Sequence, residues 1–290
     1  MKKRLIDLKI AGFTIKPNAP EIAQIFNDIK DIFETHGIKV LLSASSAKMI
    51  GQTDGVMEFD EMCQEADFLV SLGGDGTLLS LVRKSYKYHK PVFGINAGNL
   101  GFLADIKIEE VNECVLNLLK GAYRIDERMM IEGYILRDGK KEAFYAFNDV
   151  VITRPTISKM VKIDALIDGI WFNTYRGDGL IISTPTGSTA YNLAAGGPII
   201  YPLTKAFIMT PISAHSLTQR PLVVPFDFTI TLKSPKDTVV IMIDGQDDYE
   251  MYSGDALVIK GATIGARLIH QKEQNYFAVL KEKLSWGDKE

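Results

Sequence analysis

The hydrophobic period of this 290-residue chain changes once, near residue 122, and that change restricts the fold more than any other feature. Before it, short apolar runs alternate with segments whose apolar residues recur every three or four positions. Residues 6–13, 38–42, 66–72 and 92–95 read as strands, the third carrying Phe68, Leu69 and Val70. Residues 20–36 put Ile22, Ile25, Phe26, Ile29, Ile32 and Phe33 on one helical face closed by Gly37, and residues 77–88 and 111–119 carry further helical periods. Strands and helices in alternation predict an α/β domain with a parallel sheet.

After Tyr123 the period becomes two. Residues 130–136 and 142–151 flank the turn Arg137-Asp138-Gly139-Lys140, and residues 161–167 run into Asp168-Gly169. Residues 228–232, 239–243, 256–259 and 267–270 continue the pattern, so a mainly antiparallel all-β domain is expected, with residues 275–284 as a short helix packing back. The expected organisation is an α/β domain over residues 1–122, a β-rich domain over 123–272, and a helix and tail over 273–290.

A formal charge of -3 argues against a nucleic-acid surface. The basic start at Met1 to Arg4 precedes no long apolar run, so neither a signal peptide nor a membrane anchor is expected. Cys63 and Cys114 lie far apart with no CxxC, which disfavours a disulfide framework or structural zinc and suits a reducing cytoplasm.

The strand ending at Leu72 runs directly into Gly73-Gly74-Asp75-Gly76-Thr77 and then a helix, the position where α/β proteins keep ligands. The glycines Gly73, Gly74 and Gly76 let the backbone approach a phosphate, with Thr77 closing the loop, whereas a carboxylate adds nothing to a plain anion nest. Asp75 reads either as a helix cap or as a proton acceptor for a hydroxyl that attacks the phosphate. Neither GxxxxGK[ST] nor a dinucleotide GxGxxG occurs at a strand-to-helix junction. A second stretch, residues 183–198, has too little apolar bulk for a core element and an excess of hydroxyls and glycines, the composition of a binding loop.

Gly73 to Thr77 resembles the GGDGT motif of the NAD kinases, the diacylglycerol and sphingosine kinases and, more distantly, the phosphofructokinases. Gly177-Asp178-Gly179 followed by Ser183-Thr184-Pro185-Thr186-Gly187-Ser188-Thr189-Ala190-Tyr191-Asn192 is similar to the NAD kinase signature. Two blocks agree with it: residues 94–103, from Gly94 to Leu103, and His215-Ser216-Leu217-Thr218-Gln219-Arg220-Pro221. The resemblance covers roughly residues 66–246.

It implies ATP-dependent phosphorylation of the 2′-hydroxyl of the adenosine ribose of NAD, giving NADP, with a divalent cation, Mg²⁺ by default, on the phosphates. Asp75 would orient the hydroxyl and take its proton late, since a free carboxylate is too weak a base to remove it beforehand. Thr186, Thr189, Ala190, Tyr191, Asn192, Leu193 and Ala194 would wrap the dinucleotide, with Gly76, Phe102, Lys159 and Gln246 also lining it. Asn148-Asp149 matches the family's Asn-Glu pair with the acid one methylene shorter. Arg176 and Asp178 resemble positions that touch the ligand, from a neighbouring subunit of a homodimer or homotetramer. His215 and Arg220 would shape the β domain.

Two other classes share part of this pattern. A lipid kinase would keep Gly73 to Thr77 without needing residues 183–192, and would profit from a basic or amphipathic membrane-facing patch that the sequence lacks. A non-catalytic nucleotide sensor could keep the glycines and the hydroxyl-rich loop, but would not need Asp75. A nicotinamide-dependent dehydrogenase is disfavoured by the missing fingerprint.

Overall fold

The computed structural model describes residues 8–98, 101–155, 160–272 and 275–287. The chain divides into two compact units, Met1–Asp126 with Ala266–Glu290, and Glu127–Gly265.

The first unit is built on strands β1 (Ile10–Ile15), β2 (Lys39–Ser43), β3 (Val56–Met57), β4 (Phe68–Gly73), β5 (Pro91–Asn96), β6 (Ile106–Lys107), β7 (Tyr123–Arg128) and a late strand, β20 (Ala266–Gln271). Its helices are α1 (Ala23–Thr35), α2 (Ala44–Ile50), α3 (Phe59–Glu65), α4 (Asp75–Ser85), α5 (Val111–Leu119) and, at the end of the chain, α7 (Tyr276–Leu284). The sheet order is β3-β2-β1-β4-β5-β20-β7 with β6 paired to β5. Strands β1, β2, β4 and β5 pair in parallel. From β1 the chain winds outward to β2 and β3, then returns to the other side of β1 as β4. The winding direction therefore reverses between β1 and β4, and the loops at their carboxyl ends flank the crevice where such sheets bind ligands.

Every residue of β4 is buried, as the unbroken apolar run in the sequence requires for a strand covered on both faces. Helix α1 buries Phe26, Ile29 and Phe33. The rings of Phe26 and Phe33 meet Phe13 of β1 edge-on at 5.7 and 5.1 Å, and truncating a ring so placed costs about 3–5 kcal/mol. The helix ends at Gly37, whose φ of 78° provides the left-handed turn into β2.

The strand expected at residues 267–270 of the β domain is β20, and it lies instead in the parallel sheet. Arg267, Leu268 and Ile269 face Pro91, Val92 and Phe93 of β5. Leu268, Ile269 and His270 are consecutive and all buried, the mark of a strand with both faces covered rather than one washed by water on alternate residues. Helix α7 belongs to the same unit. Its first turn is capped by the Asn275 side chain, which accepts the Phe277 N–H at 2.9 Å.

The second unit contains two antiparallel sheets. One has the order β15 (Leu222–Pro225), β14 (Ala206–Ile212), β13 (Gly179–Ser183), β10 (Asp149–Thr153), β17 (Val239–Ile243), β18 (Asp247–Met251). The other runs β12 (Ile170–Gly177), β11 (Val161–Ile167), β16 (Ile230–Lys233), β19 (Ala256–Gly261), β8 (Ile131–Arg137), β9 (Lys140–Ala146). Alternate residues of both, among them Ile131, Ile135, Val150, Ile152, Ile163, Ile241 and Ile259, share one apolar core.

The single strand expected over residues 142–151 is two strands in different sheets, broken at Phe147 and Asn148. The break has a chemical cause. The Asp244 carboxylate accepts the N–H groups of Phe147, Asn148 and Asp149 at 2.8, 2.8 and 2.9 Å, so a side chain replaces the ladder partner where the chain changes sheets.

Candidate active site

In the first unit, β4 delivers Gly73 and Gly74 to the switch point, and α4 begins at Asp75 with Gly74 as its N-cap. Asp75 therefore sits in the first turn of the helix rather than capping it. Its carboxylate turns to a different segment: Oδ2 accepts the Phe102 N–H at 2.8 Å, and Oδ1 accepts the N–H groups of Leu103 and Ala104 at 3.1 and 2.9 Å. Three amides occupy most of the lone pairs of the carboxylate and fix its plane. Gly101 explains how the segment comes so close. A Cβ built there would lie 1.8 Å from Asp75 Oδ1, so no larger residue fits. Phe102 is half-buried and lies outside the first unit's core cluster.

Thr77 is buried against Gly73, where a Cβ would approach the Thr77 hydroxyl and the Lys16 Cβ. Gly76 is exposed at the start of the helix. Lys16, at the carboxyl end of β1, is an exposed cation beside the glycine loop, and its N–H donates to the Leu72 carbonyl at 2.8 Å. Sequence reasoning passed over it, because only the strand order puts β1 next to β4.

In the second unit, residues 183–188, 147–149 and 244–246 meet. Strand β13 pairs with β10 so that Ser183 faces Asp149. The Thr184 hydroxyl donates to the Phe147 carbonyl at 2.7 Å and accepts the Gly187 N–H at 3.1 Å. The Ser183 hydroxyl donates to the Asn148 and Thr184 carbonyls, and the Ser188 hydroxyl to that of Pro185. The Ser183 and Thr184 hydroxyls thus fasten the loop to the chain break at Asn148, and the Ser188 hydroxyl braces the loop internally.

Two groups are left over. Thr186 Oγ1 and Asn148 Oδ1 are buried without a hydrogen-bond partner among the described residues. Buried polar atoms are mostly satisfied in native proteins, and these two orphaned atoms lie in one loop cluster. Asp149 adds a carboxyl that is 4% exposed. Burial first, and then the negative charge of Asp244, push its pKa up to about 7.

The rest of the loop is a short 3-10 turn, Thr186–Thr189, followed by helix α6 (Tyr191–Ala194). Tyr191 and Ala194 are exposed, while Thr189, Ala190 and Leu193 are half-buried. Asn192 is fully buried. Its amide donates to the Ser188 and Pro198 carbonyls, and its oxygen accepts from the Thr210 hydroxyl at 2.6 Å, so its side chain is fully used inside the fold. Gln246 is exposed on the turn that follows Asp244. Lys159 lies outside the described residues.

Arg176 and Asp178 are not part of this cluster. Thr153 pairs with Gly179 at the opposite end of the β10–β13 ladder from Asp149 and Ser183, roughly 14 Å away at the rise of an antiparallel strand. There Asp178 forms an ion pair with Arg154 at 3.1 Å, and the Arg176 carbonyl accepts the His215 N–H at 2.9 Å. His215 and Arg220 are exposed.

Neither cysteine offers a nucleophile. Burial pushes the Cys63 and Cys114 thiols up to about 12.

The chain matches two family models, the ATP-NAD kinase N-terminal domain over residues 11–123 and the ATP-NAD kinase C-terminal domain over residues 147–271. It is 48% identical to the NAD kinase of Sulfurimonas denitrificans, covering 97% of this chain and 98% of that protein. It is also 48% identical to the NAD kinase of Wolinella succinogenes, covering 98% of both. Among solved structures, the yeast NADH kinase complexed with NADH superposes with a TM-score of 0.88 at 25% identity, over 98% of this chain and 89% of that one. The fold is also that of an NAD kinase from Archaeoglobus fulgidus in complex with ATP, with a TM-score of 0.75 at 23% identity over 95% of this chain and 98% of that one. With its glycine–aspartate loop in one unit and its hydroxyl-rich loop in the other, the chain belongs to the NAD kinase family.

Proposed function

We propose that this protein transfers the γ-phosphoryl group of ATP to the 2′-hydroxyl of the adenosine ribose of NAD, producing NADP, and that Asp75 is the group that receives the proton. The observation that carries the role of Asp75 is its triple amide clamp. Phosphoryl transfer proceeds through a loose transition state in which the enzyme mainly positions reactants and stabilises charge. A carboxylate held on one side by three N–H groups has little freedom to rotate, and its remaining acceptor capacity can orient a hydroxyl along one direction. The proton moves to Asp75 late, when bonding to phosphorus has made the hydroxyl acidic, so an ordinary carboxylate suffices.

Gly73, Gly74 and Gly76 with Thr77 would receive the donor's phosphates, and Lys16 beside them supplies a positive charge. A divalent cation would accompany those phosphates and supply neutralising charge. Among the described residues no three His, Cys, Asp or Glu side chains form a cage for it. Mg²⁺, held mainly through the donor's phosphates and retained water, is the default ion for such a donor.

Asn148 and Thr186 would hold the dinucleotide through their unsatisfied groups and Asp149 through its buried carboxyl, with Tyr191 offering an exposed ring for stacking. In this reading Thr189, Ala190, Leu193, Ala194 and Gln246 line it within the second unit while Asn192 fixes the loop from behind, and Gly76 and Phe102 flank Asp75 within the first. Arg176 and Asp178, at the far end of the ladder, would serve the site of a neighbouring copy. A homodimer or homotetramer is supported by edge strand β12, which carries Ile170, Trp171 and Phe172 at 74%, 63% and 42% exposure. Among the described residues no helix is long and apolar enough to cross a membrane. A cytoplasmic setting agrees with two unbonded cysteine thiols.

The test is incubation of the purified protein with NAD, ATP and Mg²⁺, following NADP with an NADP-specific dehydrogenase and running diacylglycerol with ATP alongside. NADP formed only with all components present is the expected result. Phosphorylated lipid without NADP would transfer the glycine loop to the lipid kinases, and binding of NAD without turnover would make the protein a sensor.

A further inference from the structure

We infer that His270 is a positioning residue for the phosphoryl transfer: through its bond to Asp105 it fixes the segment whose amides orient Asp75. The inference rests on the role proposed above for Asp75.

The three amides that hold Asp75 come from Phe102, Leu103 and Ala104, in a stretch that is neither helix nor strand. Such a stretch needs an anchor of its own. One is Asn96, whose amide donates to the Ala104 carbonyl at 3.1 Å. Beside the pairing of β6 with β5 that begins at Ile106, a further anchor is the next residue, Asp105, whose Oδ2 lies 2.5 Å from His270 Nδ1. Asp105 Oδ1 is buried without a hydrogen-bond partner among the described residues, so His270 is the contact that offsets the burial of this carboxylate.

The imidazole is itself held from behind. His270 Nε2 lies 3.6 Å from Asp126 Oδ2, and Asp126 Oδ1 meets Arg124 Nε at 3.1 Å. Arg124 Nη1 in turn donates to the Gln271 carbonyl at 3.1 Å, on the strand that carries His270. The side chains of His270, Asp105 and Asp126 are 5%, 3% and 8% exposed, so these contacts are screened from water. Apolar side chains would fill this space with less desolvation penalty. An acid–imidazole pair adds direction: it fixes where the Asp105 carboxylate points and hence where the Ala104 amide, one residue away, presents its proton to Asp75.

Two substitutions separate positioning from bulk. His270→Asn sets an amide nitrogen near the place of Nδ1 and can still donate to Asp105. His270→Gln reaches toward Asp126 and leaves Asp105 without its donor. In the full-length protein, His270→Gln is expected to lower kcat about ten- to hundredfold, the scale of a small misplacement of a reacting group, with KM for NAD and for ATP within about twofold of wild type. His270→Asn should recover most of that loss. In an Asp75→Asn background, His270→Gln should lower turnover no further, since both changes act on the same carboxylate. Hydrogen exchange of the 102–104 amides should be faster in His270→Gln than in His270→Asn.

Wild-type kcat in His270→Gln, equal losses in both variants that follow their melting temperatures, or a full additional loss on top of Asp75→Asn would each overturn the inference. Should His270→Gln not fold, Asp105→Asn takes its place: faster exchange at 102–104 with reduced kcat supports the inference, and unchanged exchange and kcat overturn it. Asp75→Asn measured alone keeps the two ideas apart. Wild-type turnover in that variant removes the role of Asp75, whereas its loss alongside a fully active His270→Gln removes only the role of His270.

Discussion

Asp244 accepts the backbone N–H of Asp149 at 2.9 Å and at the same time sets a second buried acid against the Asp149 carboxyl. The first interaction shapes the chain break at residues 147–148. The second, added to burial, gives the position a dependence on pH.

Asp149 has its pKa raised from 3.8 to about 7, so between those values the folded state holds a proton that the unfolded chain has released. Stability from this group is full below about pH 4 and falls as pH rises through about 7, by at most about 4 kcal/mol at 1.36 kcal/mol per unit. Asp149→Asn removes the titration. Its thermal stability relative to wild type should grow from about pH 5 to about pH 8, and a constant difference would mean that the carboxyl ionises normally in the fold.

Asp75→Asn should lower turnover about a hundredfold to ten-thousandfold, the range for a positioned general base. KM for NAD should change far less. The variant also turns an NH₂ group toward one of the three amides, so faster hydrogen exchange in residues 102–104 should accompany the loss. Steady-state kinetics that leave turnover intact would exclude Asp75 from the chemistry.

Gly101→Ala adds a single methyl group 1.8 Å from Asp75 Oδ1. Either the 101–104 segment or the carboxylate must move, and turnover should drop by about a hundredfold or more. The fold should survive, because Gly101 is only half-buried and belongs to no strand. Circular dichroism and a kcat measurement on one preparation decide it.

Thr186→Val keeps the shape of the side chain and removes a buried hydroxyl that has no partner among the described residues. Without ligand the protein should be as stable as wild type or more so, by up to about 1 kcal/mol. KM for NAD should rise about three- to tenfold, the worth of one hydrogen bond. A lower melting temperature with unchanged KM would make Thr186 a part of the loop's own framework.

Trp171→Asp places a charge on the exposed edge strand β12. If that edge joins copies of the chain, sedimentation should show a smaller particle than wild type, and NADP formation should fall as Arg176 and Asp178 leave a neighbouring site. An unchanged mass would move any interface elsewhere.

The strands and helices of the first unit were legible because their periods are clean: α1 shows its buried face at Phe26, Ile29 and Phe33, and β4 is an unbroken apolar run. Strands β13 and β14 were not singled out, since both are buried along nearly their whole length and carry no alternation to read. The glycine loop and the hydroxyl-rich loop could be recognised from composition and order. Which hydroxyls would be free could not, because Thr184, Ser183 and Ser188 are consumed by partners that the fold supplies, Thr186 is not, and nothing local distinguishes them.

The sequence by itself therefore determined the two kinds of unit, the family, and the identity of Asp75, Asn148 and Thr186 as candidates, because these depend on local period and on motifs contiguous in the chain. The tertiary structure decided what each residue meets. Strand β20 returns from the far end of the chain to bring His270 to Asp105, 165 residues away, and Asp244 reaches back 95 residues to Asp149. Hydrogen bonds act over about 3 Å in space whatever the separation along the chain, so the contacts that aim these side chains exist only once the sheets are assembled.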